Sequence, residues 1–366
     1  MTERNWPQWL PIRPNLVPLS PYGAPQVQAQ ASLNTNENPF SLSPDLVAAI
    51  SARVAEVATT LNRYPDRDAI VLRSKLAAYI NAESGTNFDQ SNIWVANGSN
   101  EILQSLFLAF GSGATIGFLP SYSMHPLIAR VTSTPWVDGK RREDFSLDIE
   151  SAIEQIAQVQ PVLTFITTPN NPTGEAISIQ AIEKLAASTP GLLVIDEAYA
   201  EFSDEDSAVT LIAKHPHVVV VRTMSKAFSF AGVRVGYLIA HPSVVDAMML
   251  VRLPYHLSTL TQSAALVALD FKDQLLAGVA QLRQQRDLVA DALVQMGLTV
   301  LPSQANFLLF SGFASSSSQL WQAMLDRGIL IRDVGLSGYL RTTIGTGAEN
   351  EKFLHALREC LAKEKS

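Results

Sequence analysis

The stretch Arg222-Thr-Met-Ser-Lys-Ala-Phe-Ser-Phe-Ala-Gly-Val-Arg-Val-Gly-Tyr237 follows an apolar run at 218–221 that predicts a buried strand. Its one lysine, Lys226, lies among small and apolar residues, where desolvation disfavours the ammonium ion and lowers its pKa. The neutral amine attacks carbonyl groups and forms a Schiff base. Ser225 and Arg234 are residue types that bind phosphate. An aldehyde and a phosphate on one small molecule describe pyridoxal 5'-phosphate, PLP.

A lone lysine is usually a surface or capping residue, but the spacing S-K-x-x-x-x-x-G-x-R-x-G-Y is far more specific. It resembles the lysine segment of the fold type I PLP-dependent aminotransferases. The resemblance implies that Lys226 binds PLP covalently and then acts as general base and acid at the substrate α-carbon. It also implies that Ser225 and Arg234 contact the phosphate of the cofactor.

Asp196 follows the apolar run at 192–195, and ligands of open α/β sheets bind at the carboxyl ends of the strands. A carboxylate there can keep the pyridine nitrogen of PLP protonated, which makes the ring an electron sink. The alternative is an aspartate that caps the next helix. The position of Asp196, thirty residues before Lys226, has the order and spacing of the family and favours the cofactor role.

Two further side chains are assigned to the cofactor ring by the resemblance. Asn171, in Thr-Pro-Asn-Asn-Pro-Thr-Gly at 168–174, and Tyr199 correspond to residues that hydrogen-bond the phenolic oxygen of the ring. Taken alone, the 168–174 segment predicts only a turn. We count Tyr199 among the expected catalytic residues and expect Asn171 to contact the substrate as well.

A phosphate-binding helix start is predicted at 96–102, directly after a predicted strand at 93–96. Backbone N–H groups at the start of a helix bind anions, and Gly98 gives the backbone the freedom to turn there. We therefore expect Gly98, Ser99 and Asn100 to bind the cofactor. Ser99 can also be an ordinary N-cap, and the two roles are compatible.

Two tyrosines complete the expected cofactor site. Tyr122 follows the apolar run at 115–119 and resembles the aromatic residue that stacks on the ring; a core tyrosine is the alternative, and the strand-end position favours stacking. Tyr64, in Asn-Arg-Tyr-Pro-Asp at 62–66, resembles the tyrosine that reaches the PLP phosphate of a neighbouring subunit. That role implies a homodimer, because one chain then lacks a complete site.

Two arginines near the C-terminus are candidates for substrate binding, since the guanidinium fork matches carboxylate and phosphate groups. Two surface salt bridges are the alternative. Arg341, in Arg-Thr-Thr-Ile-Gly, resembles the arginine that binds the substrate carboxylate in these aminotransferases. Arg332 resembles the arginine that binds the substrate phosphate in the histidinol-phosphate branch. Tyr22, in the N-terminal arm, is a further substrate-binding candidate.

Short apolar runs alternating with helical periodicity predict an α/β fold, with a mostly parallel sheet between helices. The strands predicted for this sheet lie at 93–96, 115–119, 162–167, 192–195, 218–221 and 235–240. We expect an N-terminal arm with a small-domain segment at 1–45, a large PLP-binding domain at 46–262 and a smaller α/β domain at 263–366. This is the architecture that the resemblance to fold type I implies.

Composition restricts the partners and the compartment. The 366 residues carry 27 Lys and Arg against 34 Asp and Glu, and a net charge of −7 argues against nucleic acid. No apolar run approaches the ~20 residues of a membrane span, and the N-terminus shows no signal peptide. The single cysteine, Cys360, weakly favours a reducing compartment. We expect a cytoplasmic protein without a metal, since His215-Pro-His217 lacks a third ligand.

The motifs occur in family order over nearly the whole chain, and Leu-Asn-Thr-Asn-Glu-Asn-Pro-Phe at 33–40 resembles the signature of the histidinol-phosphate aminotransferases. The resemblance implies exchange of the amino group of L-histidinol phosphate with 2-oxoglutarate, giving imidazole-acetol phosphate and L-glutamate. An aromatic amino acid aminotransferase on the same scaffold is the alternative. A non-enzymatic regulator would need a DNA-binding segment, and no basic helix-turn-helix precedes residue 46.

Overall fold

The computed structural model describes residues 6–21 and 23–364, which form twelve strands and eleven α-helices. The strands are β1 Ala31–Ser32, β2 Ile93–Ala96, β3 Thr115–Leu119, β4 Trp136–Lys140, β5 Leu163–Thr167, β6 Leu192–Asp196, β7 Val218–Thr223, β8 Gly236–Ile239, β9 Thr299–Val300, β10 Phe307–Ser311, β11 Ile329–Leu330 and β12 Tyr339–Thr343. The helices are α1 Pro44–Ala58, α2 Ile70–Ser84, α3 Ser99–Phe110, α4 Met124–Thr132, α5 Ile149–Val159, α6 Ile179–Ser188, α7 Pro242–Val251, α8 Thr259–Asp270, α9 Lys272–Gln295, α10 Ser317–Leu325 and α11 Gly347–Glu364.

The main sheet has seven strands in the order β2-β8-β7-β6-β5-β3-β4. The strands from β7 to β4 run parallel, and β8 is antiparallel to both of its neighbours. Helices cover both faces, so alternate residues of one strand enter two different cores: Val218 and Val220 pack on one side of β7, Val219 and Val221 on the other. The predicted α/β fold with a mostly parallel sheet is confirmed.

Local sequence explains where many of the helices begin. Ser43, Asp148, Ser178, Ser258 and Ser316 each accept a hydrogen bond from a backbone N–H of the first turn that follows them. Two of them, α5 and α6, return the chain from β4 to β5 and from β5 to β6, so that these strands run in the same direction. The carboxyl ends of β5, β6 and β7 consequently lie side by side at one edge of the sheet, and the functional segments start there.

The C-terminal part has its own antiparallel sheet, ordered β12-β10-β9. The N-terminal arm contributes β1 to this part, because β1 pairs in parallel with β11. Helix α8 runs through the boundary predicted between residues 262 and 263. The division into an arm, a large domain and a small domain therefore stays a prediction.

The sequence did not predict β1, β4, α4, α7 or α8. Strand β4 lies at the edge of the main sheet and has only two apolar residues, Trp136 and Val137, before Asp-Gly-Lys, so it lacks the apolar run that marks the inner strands. None of the helices formed by residues 6–21 and 23–364 is long and apolar enough to cross a membrane.

Candidate active site

A cavity of about 440 Å³ opens at the carboxyl ends of the strands, between the main sheet and the C-terminal part. Most of the residues predicted from sequence line it. They are Ser99, Asn100, Tyr122, Asn171, Asp196, Tyr199, Ser225, Lys226, Arg234, Arg332 and Arg341. The structure thus brings together side chains that are up to 242 positions apart in the chain (341 − 99).

Lys226 extends into the cavity three residues after the end of β7, and its Nζ donates a hydrogen bond to the carbonyl oxygen of Thr35 at 3.0 Å. Burial and, after it, the positive charge of Arg341 together lower the pKa of the amine to about 8. Near neutral pH a substantial fraction of the amine is therefore neutral and nucleophilic.

This pKa predicts how covalent PLP uptake depends on pH. Below about pH 8 the ammonium form predominates, so the uptake rate should fall by about tenfold per pH unit; above it the rate should level off. The measurement is the rate of borohydride-trappable PLP incorporation into cofactor-free protein between pH 6.5 and 10. A rate that keeps rising to pH 10 would mean that the lysine retains its ordinary pKa.

Asp196 is the last residue of β6, and its side chain is almost fully buried. Oδ2 shares a hydrogen bond of 3.1 Å with Nε2 of His125, whereas Oδ1 has no hydrogen-bond partner among the described residues. A buried carboxylate oxygen without a partner is costly unless a ligand supplies the donor. This oxygen lies at the wall of the cavity and is suited to accept a bond from a ring N–H.

His125 is a residue to which the sequence assigned no role. It lies in the first turn of α4, with its ring stacked on Phe165 at 5.0 Å and edge-on to Tyr122 at 5.5 Å. These contacts fix the imidazole that holds Asp196. The three-residue spacing from Tyr122 was visible in the sequence, but the partner on β6 is 71 positions away and no local pattern indicates it.

The predicted phosphate-binding segment has the expected geometry. Gly98, at φ +81°, precedes the first residue of α3, and Ser99 begins that helix. A Cβ atom on Gly98 would collide with the guanidinium of Arg234, so only glycine lets this arginine approach the helix start. Arg234 Nη1 also lies 3.4 Å from Oγ of Ser225, which Thr223 contacts in turn. Helix N–H groups, a hydroxyl and a guanidinium converge as an anion site.

The remaining side chains of the predicted cofactor site are held by neighbours. Tyr122 donates to Oδ1 of Asn100 at 3.1 Å, which joins the ring-stacking candidate to the helix start. The hydroxyl of Tyr199 accepts from Nδ2 of Asn36 at 2.8 Å. Asn36 follows Thr35, whose carbonyl accepts from Lys226, so residues of the 33–40 signature form one wall of the cavity.

The two candidate substrate arginines are antiparallel neighbours joined by two backbone hydrogen bonds of 2.9 Å. Arg341 is buried; its Nη1 donates to Asn171 Oδ1 at 2.5 Å, its Nη2 donates to Asn34 O at 2.8 Å, and its guanidinium carbon lies 5.1 Å from the centre of the Phe307 ring. Arg332 is half-buried, and its guanidinium has no hydrogen bond or ion pair with the described residues. It is a cation available to an anionic ligand.

Two of the predicted site residues that the structure describes, Gly98 and Tyr64, do not line the cavity. Gly98 lies behind Arg234, as described above. Tyr64 is 79% exposed and stacks on Tyr255, with ring centroids 4.4 Å apart and planes inclined by 15°. Tyr22 lies outside the described residues. Among residues 6–21 and 23–364, no group of His, Cys, Asp or Glu side chains could hold a metal ion.

A match to the family described as Aminotransferase class I and II covers residues 29–357. The chain therefore belongs to that family, and it is a PLP-dependent transaminase with the fold described above.

Individual relatives are more specific. A histidinol-phosphate aminotransferase of Nocardia farcinica (strain IFM 10152) is 52% identical over 97% of this chain and 93% of its own length. Another, of Mycobacterium sp. (strain JLS), is 53% identical over 95% of this chain and 93% of its own length. The crystal structure of histidinol-phosphate aminotransferase from Sinorhizobium meliloti, in complex with pyridoxal-5'-phosphate, has a TM-score of 0.81 at 24% identity and covers 92% of both chains.

The residues present fit PLP, the cofactor of this family. A lysine with a lowered pKa suits the aldehyde, the helix start beside Arg234 suits the phosphate, and the unpartnered Oδ1 of Asp196 suits the pyridinium N–H. All three face one cavity.

Proposed function

We propose that this protein exchanges the amino group of L-histidinol phosphate with 2-oxoglutarate, giving imidazole-acetol phosphate and L-glutamate in histidine biosynthesis. The observation that carries the proposal is the identity of 52–53% to relatives named histidinol-phosphate aminotransferase, over 95% or more of the chain. The aromatic amino acid alternative has no support from these relatives.

The charges of the cavity agree with this substrate. Arg332 and Arg341 supply two guanidinium groups on the side formed by the C-terminal part, and Arg234 supplies a third at the helix start. Arg234 is needed for the phosphate of the cofactor, so Arg332 and Arg341 remain for a substrate. A doubly charged phosphate or a distal carboxylate can each be bound by an arginine fork, so one site can serve histidinol phosphate and glutamate in turn.

PLP, when bound, supplies an electron sink for the negative charge that develops at the substrate α-carbon. Lys226 would hold the cofactor through Nζ, and its amine, when free, would take the proton from the substrate α-carbon as general base. Oδ1 of Asp196 would accept from the ring N–H, with His125 fixing the orientation of the carboxylate. Asn171 accepts from Arg341 through Oδ1, so its Nδ2 remains as a donor toward the phenolic oxygen, beside the hydroxyl of Tyr199.

The role of Arg332 predicts a selective loss of one substrate. Histidinol phosphate has no α-carboxylate, so its phosphate must provide most of the anchoring. Removing a charge-assisted bond to a desolvated anion costs roughly 2–5 kcal/mol, so Arg332→Ala should lower kcat/KM for histidinol phosphate by roughly 30-fold or more. Phenylalanine, which has no distal anion, should be affected far less. The measurement compares single-turnover kinetics of both donors.

A matched control is Arg358→Ala, which removes an exposed arginine from α11 of the same part of the molecule. It should leave both donors within twofold of the unmodified protein. Equal losses for histidinol phosphate and phenylalanine in Arg332→Ala would show that Arg332 has a structural role only.

We also propose that the active unit is a cytoplasmic homodimer, in which Tyr64 of each chain binds the PLP phosphate of the other. Its distance from the cavity of its own chain supports this: Tyr64 is largely exposed and does not line that cavity. An exposed tyrosine stacked on a second exposed tyrosine is typical of a surface that a partner covers.

A further inference from the structure

Tyr64 lies within a cluster of exposed apolar side chains, which we call the tyrosine face. Its members come from the connection between α1 and α2, the start of α2, the end of α7 and the connection from α7 into α8. They are Leu61, Tyr64, Ile70, Val71, Leu250, Leu253, Tyr255 and Leu260. Leu250 and Leu253 are 86% and 73% exposed. So many exposed large apolar residues indicate a surface that another copy of the chain covers.

The connection that carries Tyr64 has few anchors of its own, because its residues 59–68 are mostly exposed. The carboxylate of Asp66 accepts from the N–H groups of Asp68 and Ile70, within the connection and at the start of α2. Fixation to the rest of the protein depends on side chains from elsewhere. One of them, Gln262 of α8, donates to the carbonyl of Asp66 at 2.9 Å.

Arg252, the residue after α7, makes the strongest of these attachments. Its Nη1 donates to the carbonyl of Arg67 at 2.9 Å, and its Nη2 pairs with Oδ1 of Asp68 at 2.5 Å. Hydrogen bonds from Arg67 and Arg252 hold the pKa of Asp68 well below its ordinary value, so the carboxylate stays charged. The side chain of Arg252 is only 10% exposed, whereas that of Arg67 is 60% exposed. The buried pairing is the stronger one.

The same arginine also lies next to the second tyrosine. Tyr255 follows Arg252 by three residues and has φ +56°, a backbone conformation that non-glycine residues seldom adopt. Its ring is held parallel to that of Tyr64. Arg252 thus joins the two segments that bear the stacked pair: its backbone leads to Tyr255, and its guanidinium holds the segment of Tyr64.

We propose that Arg252 is a positioning residue that acts across the dimer: by fixing the 62–68 segment against the end of α7, it places Tyr64 for the PLP phosphate of the partner subunit. The proposal rests on the proposed crossing of Tyr64. It predicts that a substitution of Arg252 weakens cofactor binding in the partner chain and not in the chain that carries the substitution.

Hybrid dimers with one working site test this prediction. One chain carries Lys226→Ala and the other Tyr64→Ala, with different affinity tags, so that each purified dimer contains one of each. Its single working site combines Lys226 from the second chain with Tyr64 from the first. This base hybrid should be active, and the PLP concentration that half-saturates borohydride-trappable labelling of its single Lys226 should match that of the unmodified dimer. The Tyr64→Ala homodimer should need far more PLP.

Arg252→Ala is then added to one chain at a time. On the Lys226→Ala chain, which supplies the working Tyr64, it should raise the half-saturating PLP concentration by about tenfold or more, since a charge-assisted anchor is lost. On the Tyr64→Ala chain, the same substitution should leave the half-saturating PLP concentration within twofold of that of the base hybrid. Arg252→Lys keeps the charge without the fork and should give an intermediate value on the first chain. The same substitution in two places controls for loss of stability.

The possible outcomes distinguish failure of the positioning role of Arg252 from failure of the proposed crossing of Tyr64. Equal effects of Arg252→Ala in the two positions, with an active base hybrid, overturn the positioning role and leave the crossing of Tyr64 intact. A base hybrid that needs as much PLP as the Tyr64→Ala homodimer, or a Tyr64→Ala homodimer that needs no extra PLP, overturns the crossing and the role of Arg252 with it.

Discussion

Replacing Lys226 with alanine should lower kcat by roughly 10⁴-fold and abolish covalent attachment of PLP. The estimate combines the loss of the covalent amine with the loss of general base catalysis, which alone contributes roughly 10²–10⁴-fold. No other lysine can take over, because Lys226 is the only one that lines the cavity within residues 6–21 and 23–364. Its pKa of about 8 also favours the neutral amine that both covalent attachment of PLP and general base catalysis require.

The attachment is measured directly by borohydride reduction of the PLP-loaded protein, followed by mass mapping of its peptides. The pyridoxyl group should be found on the peptide that contains Lys226, and it should disappear in Lys226→Ala. Lys184→Ala, which removes an exposed lysine from α6, is the control and should keep both label and activity. A label on any lysine other than Lys226 would refute the assignment.

Replacing Asp196 with alanine should lower kcat by roughly 10²-fold or more while the protein still binds PLP. Retention follows from the structure, since the lysine and the phosphate-binding helix start are separate from β6. The loss in kcat follows because a preorganised charge beside the ring nitrogen no longer stabilises the transition state, an effect of roughly 10²–10³-fold for a single such group.

The control for Asp196 is Asp204→Asn, which changes an exposed aspartate whose side chain forms a surface ion pair with Arg283. Steady-state kinetics at saturating PLP and the absorbance of bound cofactor should be measured on both variants. Activity of Asp196→Ala within a few-fold of the unmodified protein would show that the carboxylate is not the partner of the ring nitrogen.

Much of the cofactor site was predictable because each motif directly follows an apolar strand. Asp196 is the last residue of β6, Asn171 lies four residues after the end of β5, and Lys226 lies three residues after the end of β7. Because these strands are parallel, the segments that follow them meet at one edge of the sheet. The apolar runs identify the strands, so the position of the site follows from local sequence alone.

What could not be predicted depends on contacts between distant parts of the chain. The carbonyl of Thr35 accepts from Lys226 across 191 positions, and Arg341 reaches Asn171 across 170. The bond between His125 and Asp196 is of the same kind. Strand β4 was missed for a different reason: at the sheet edge one polar face is tolerated, so its sequence has no apolar run. The proposed role of Tyr64 involves a partner subunit, and a single chain does not contain that contact.

The most direct test of the proposed reaction is a single-turnover panel on the PLP-loaded protein. Histidinol phosphate, phenylalanine and glutamate are mixed with it separately, and the loss of absorbance of the lysine-bound cofactor is followed over time. We expect histidinol phosphate and glutamate to react, with kcat/KM for histidinol phosphate at least tenfold above that for phenylalanine, about 1.4 kcal/mol in transition-state binding. Faster reaction with phenylalanine than with histidinol phosphate would contradict the account and favour an aromatic amino acid aminotransferase.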